Sequence, residues 1–160
     1  MNLTHLHLLL NHLPIFGSIL GGFVLFYGLY TKTNSTKIAA YFVLVISSLG
    51  AVITYLTGEP AEESIENIKG ISKSMIEEHE EFAGIALVAL IILGVAALIG
   101  IYLTFKKSPL VRTIASITLA ISLISFGLIA RTGYIGGQIR HSEINPNANP
   151  NQGAVHEDND

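Results

Sequence analysis

The sequence predicts an all-α protein, a four-helix transmembrane bundle with both termini on the outer side. Three observations predict it. Half of the 160 residues are hydrophobic and 13% are charged, against about 25% charged in soluble domains. Four apolar stretches, at 8–31, 37–57, 82–105 and 110–132, each reach the roughly 20 residues that cross a hydrocarbon core. The remaining charges are sorted by sign. Lys32, Lys37, Lys106, Lys107 and Arg112 fill the two short gaps, and all twelve acids lie elsewhere. Cationic short loops stay in the cytoplasm. Both termini and the acidic 59–81 loop therefore face outward, toward the periplasm if the bilayer is a bacterial inner membrane.

The first span starts within His7-Leu-Leu-Leu-Asn11-His12-Leu13-Pro14-Ile15 and runs to Tyr30. Asn2 or Thr4 suits its N-cap, and Pro14 predicts a kink beside His12. Gly17-x-x-x-Gly21 admits a neighbouring backbone. No Lys or Arg precedes Lys32, so the positive region of a cleaved signal peptide is missing and the span is read as retained. The second span ends at Gly58, a C-cap residue, with Pro60 beyond it. Tyr55 and Tyr134 fall at the outer interface and Tyr27, Tyr30, Tyr41 and Tyr102 at the inner one, as an aromatic belt.

From Ala61, Ile65, Ile68, Met75, Ile76, His79 and Phe82 recur at helical spacing among Glu and Lys. This predicts an amphipathic helix over the outer mouth, broken near Gly70, that feeds the third span. The fourth span closes with Arg131-Thr-Gly133-Tyr134-Ile-Gly136-Gly137-Gln-Ile-Arg140-His141. Residues 1–141 are thus one membrane domain. The polar 142–160 tail, rich in Asn and Pro, has the composition of disorder.

Several function classes are excluded. Without cysteine there are no disulfides, thiolate metal sites or covalent c-type haem. A net charge of -3 and the lack of a basic stripe argue against nucleic acid. No P-loop, G-x-S-x-G, H-E-x-x-H or dinucleotide fingerprint occurs, and Glu78-His79-Glu80 lacks the second histidine of a zinc protease. The chain reads as an electron-transfer or complex subunit rather than a stand-alone enzyme.

The six histidines, His5, His7, His12, His79, His141 and His156, all fall on the outer side. His12 and His79 sit at the membrane boundary, where an ionisable group is costly and marks function by default. A neutral imidazole is also the form that ligates metal. One metal on one helix needs histidines three or four residues apart. His5 and His12 are about 10 Å apart along the axis, and His7 and His12 point about 140° apart. A shared ligand therefore lies between helices. His12 and His79 are the expected axial ligands of a b-type haem, with His7 or His141 as substitutes. Gly133, Gly136 and Gly137 offer a side-chain-free surface, Arg131 and Arg140 suit two propionates, and Phe16, Phe82 and Ile85 suit the walls. A membrane quinol, a periplasmic c-type cytochrome or a larger respiratory complex would be the electron partner. Two alternatives stand beside this one. His5, His7, His12, His79 and His141 also suit copper or zinc, and a structural subunit would use the histidines as a hydrogen-bonded cluster.

At His7-x-x-x-x-His12-x-Pro14-Ile15 the chain resembles a bacterial membrane family of unknown function, whose first helix carries H-P-x-x-V-H-F-P-I. The likeness continues in Thr57-Gly58-x-x-Ala61, in His79 opening span three and in Gly133-x-x-Gly136-Gly137. Leu8, Asn11 and Leu13 replace the motif's Pro, Val and Phe, and His5 is extra. Some relatives in that family are fused to c-type cytochrome domains. The resemblance implies a four-helix membrane module near redox chemistry, marked by His7, His12 and His79.

Overall fold

The structure, a computed structural model, describes residues 3–63 and 73–140. The helices are α1 (Leu3–Leu10), α2 (His12–Tyr30), α3 (Asn34–Leu56), α4 (Gly58–Glu63), α5 (Lys73–Phe105) and α6 (Val111–Arg140). Four stretches, Leu3–Tyr30, Asn34–Leu56, Lys73–Phe105 and Val111–Ile139, are long and apolar enough to cross a membrane. Their helices form a ring in the order α2, α3, α5, α6, each packed on its two neighbours. Exchanging α2 with α5 and α3 with α6 leaves that order unchanged. The bundle is thus two helical hairpins side by side.

Buried Gly, Ala and Ser bring the helices close around a few large core side chains, and many other large apolar side chains face outward. Leu25, Ala40, Tyr41, Leu44, Leu90, Leu93, Ala97 and Ala115 are the centre. Phe16, Phe23, Phe42, Ile92, Leu123 and Ile124 are exposed. Lipid tails are as apolar as leucine, so close backbone approach decides which face turns inward. A Cβ on Gly17 would lie 2.6 Å from that of Ser47, which fixes the α2–α3 contact. Hydroxyls tie the helices further. Ser47 donates to Pro14 O at 3.1 Å, Ser48 to Leu90 O at 2.8 Å and Ser122 to Ser18 O at 2.7 Å.

The two hairpin turns are built alike. Thr33 N donates to Gly28 O and Lys32 N to Leu29 O, while Ser108 N donates to Leu103 O and Lys107 N to Thr104 O. Both are the paired C-terminal bonds of a Schellman motif. Lys32 (φ 57°) and Lys107 (φ 52°) hold the left-handed position that glycine usually takes.

Several sequence expectations shift. The first span is interrupted at Asn11, beside His12, where Pro14 has no N–H to give to Leu10 O, and Pro14 itself sits in the first turn of α2. Gly58 opens α4, and Thr57 caps α3 instead. Met75, Ile76 and His79 belong to α5, which starts at Lys73 and runs unbroken into the membrane. Gly133, Gly136 and Gly137 lie within α6, which continues to Arg140. Tyr41 leaves the aromatic belt and is fully buried in the core. Ile65, Ile68, Gly70 and the 142–160 tail lie outside the described residues.

Candidate functional site

The polar centre lies at the helix ends opposite the two lysine turns. His7 and Asn11 are four apart and share one side of the first span, which continues into the buried Pro14 and Ser18. His7 Nδ1 lies 2.9 Å from Thr54 O. A carbonyl only accepts, so Nδ1 carries the proton and Nε2 keeps its lone pair. Thr54 O lies in the last turn of α3 and accepts a second hydrogen bond, from Thr57 Oγ1 at 3.0 Å. Thr57 Oγ1 lies 3.5 Å from the same ring nitrogen.

His79 is held in the same way by the other hairpin. Its Nδ1 donates to Thr132 O at 3.0 Å, again leaving Nε2 as the lone-pair nitrogen. This carbonyl sits inside α6, and the ring reaches it over Gly136. A Cβ there would lie 2.8 Å from His79 Cε1. Gly58 bears the corresponding relation to His7, with a Cβ 3.8 Å from its Cε1. Each half of the bundle thus presents one imidazole to a Thr-x-x-x-Gly stretch: His7 of α1 to Thr54 and Gly58, where α3 gives way to α4, and His79 of α5 to Thr132 and Gly136 within α6. Beside His7, Asn11 Oδ1 and Thr54 Oγ1 are buried with no hydrogen-bond partner. Buried polar atoms of that kind call for a ligand or water.

The other expected residues are placed differently. His12, expected opposite His79, is exposed and stacks on Phe16, with ring centroids 6.3 Å apart at 15°. Its helical angle from His7 carries it out of the face that holds the site. Arg131, expected at a propionate, instead pairs with Glu78 at 3.4 Å. Its guanidinium also lies over Phe82 at 5.6 Å and Tyr134 at 5.8 Å. Gly133 abuts Ile15, and Gly137 faces open space. Ile85 and His5 are exposed. The Arg140 side chain and His141 lie outside the described residues, and no group of three metal-ligating side chains occurs among those described. Sequence reasoning missed Asn11, Thr54, Thr57 and Thr132. The signal for two of them was the Thr-x-x-x-Gly spacing, repeated at the ends of the second and fourth spans.

Fold and site together define a class: a four-helix membrane protein with two imidazoles, each anchored to a backbone carbonyl, at one end of the bundle. Comparisons with family models, curated proteins and solved structures give no match.

Proposed function

We propose that this chain is a membrane-embedded b-type haem protein that exchanges electrons at the histidine end of the bundle, with His7 and His79 as the residues that would hold the haem iron. One observation carries the reading: both histidines give Nδ1–H to a backbone carbonyl. Metal-ligating histidines are held this way, since the bond fixes tautomer and ring orientation and raises the basicity of the other nitrogen. Two imidazoles would suffice to hold a haem, which brings its own nitrogen donors to the iron. Structural zinc asks for four protein ligands and catalytic zinc for three. The buried Asn11 and Thr54 oxygens beside His7 add polar partners for a bound group.

Haem would supply a one-electron iron couple. The chain's own part is to hold two neutral imidazoles and keep the site inside the bundle. A site at one end does not by itself carry an electron across a core of roughly 30 Å. Its exchange partner is therefore a quinol in the bilayer or a c-type cytochrome on the same side. With the lysine turns in the cytoplasm, that side is the periplasmic face of a bacterial inner membrane.

The test is the visible spectrum of protein produced with ample haem. Wild type and His12→Ala should show a Soret band, and His7→Ala and His79→Ala should each lose most of it. A colourless wild type would overturn the proposal, and bound copper or zinc in that sample would favour the metal-ion reading. Loss of the band in His12→Ala alone would return the ligand role to His12.

A further inference from the structure

At the lysine end, a cleft of about 270 Å³ opens between α2 and α6, lined by Phe26, Leu29 and Tyr30 on one side and Arg112, Ser116 and Leu119 on the other. It exists because the two hairpins differ at one place. Between α3 and α5 the corresponding gap is filled by Tyr41, fully buried, its ring seated on Gly100. Counted from the turn lysines, the counterpart of Tyr41 in α6 is Ser116, and the counterpart of Gly100 in α2 is Leu25. No ring closes the second gap, and Ser116 is exposed within it.

The lining changes character with depth. Tyr30 is the last residue of α2 and Arg112 lies in the first turn of α6, so the rim is at headgroup level. Leu119 is about 10 Å deeper along α6, and Phe26 is one turn deeper than Tyr30. A guanidinium, a hydroxyl and a phenol therefore stand above an apolar floor. The surrounding charge has one sign. Lys32, Lys106 and Lys107 share this end, and no acid occurs between residues 1 and 58 or between 82 and 142.

We propose that this cleft is a binding site for an anionic phospholipid. The phosphate is held by the Arg112 guanidinium and the Ser116 hydroxyl, and an acyl chain lies between Phe26 and Leu119. Arginine suits the role because its fork of donors matches phosphate oxygens in pairs. Basic pockets between membrane helices recognise lipid headgroups in this way. The site does not depend on a haem being bound at the other end.

The chain has no tryptophan, so Phe26→Trp places a single reporter in the cleft. In vesicles of phosphatidylcholine, brominated phosphatidylglycerol should quench it at about fivefold lower mole fraction than brominated phosphatidylcholine does. Adding Arg112→Gln should remove that preference, whereas adding Arg131→Gln, at the opposite end, should leave it intact. Native mass spectrometry of wild type from mixed phosphatidylglycerol and phosphatidylethanolamine vesicles checks the unlabelled protein. Retained phosphatidylglycerol, lost in a monodisperse Arg112→Gln protein, is the expected result. Equal quenching by both lipids, a preference that survives Arg112→Gln, or displacement of the lipid by millimolar inorganic phosphate would each overturn the proposal.

Discussion

Gly136 governs how His79 is held. The imidazole reaches the Thr132 carbonyl only because residue 136 has no side chain, and a methyl there would sit 2.8 Å from Cε1. Gly136→Ala should therefore displace the ring and cost about 1–3 kcal/mol, the usual range for overpacking a fitted interior. Gly137, next in the chain, faces open space. Gly137→Ala should be neutral or stabilise by up to about 1 kcal/mol, since alanine suits a helix better than glycine. Detergent unfolding curves of the two variants check this, and equal effects would contradict the packing. The choice between His7 and His12 belongs to the same scale. Depth in the membrane was legible from hydropathy and pointed to His12. The face was not, because the first span is apolar all round and lipid offers no contrast with the core. Two small clues did mark the buried face: Asn11 four residues after His7, and Ser18 one turn beyond Pro14. Both share the side of the helix that carries His7.

Helices end where capping allows, and hydropathy ends where lipid does. The four spans were legible in order and number because twenty-odd apolar residues have few other uses. Their ends were less so. Helix α5 runs well above the predicted boundary, because Met75 to Glu81 need no lipid to satisfy their backbone hydrogen bonds within a helix. The inner ends depend on Lys32 and Lys107 in left-handed conformation, where an L side chain costs roughly 1–2 kcal/mol. Two lysines at glycine positions gave no turn signal, so the likeness of the two turns stayed hidden. Replacing Lys107 by Gly should relieve the strain and raise stability by about 0.5–1 kcal/mol. Replacing it by Val should lower stability, because a β-branched residue fits φ 52° least well. A shift in the same direction for both variants, read by thermal unfolding in detergent, would show that conformation is not what limits this turn.

For the whole molecule, the repeat of the hairpin gives function its direction. Both imidazoles come from the ends opposite the lysine turns, so the histidine centre and the lipid cleft occupy opposite ends of one bundle. Any chemistry at His7 and His79 is then confined to a single side of the bilayer, and the charge asymmetry decides which. The five cations in and beside the two turns, with no acid among them, should hold that end in the cytoplasm. Membrane potential reinforces this, since moving one charge outward costs about 2.3 kcal/mol per 100 mV. Because the chain has no native cysteine, single substitutions can report the orientation. In intact spheroplasts, a membrane-impermeant maleimide should label Glu78→Cys and should label Lys107→Cys only after lysis. Labelling of Lys107→Cys in intact cells would invert the bundle, move the histidine centre to the cytoplasmic face and remove a periplasmic cytochrome from its possible electron partners.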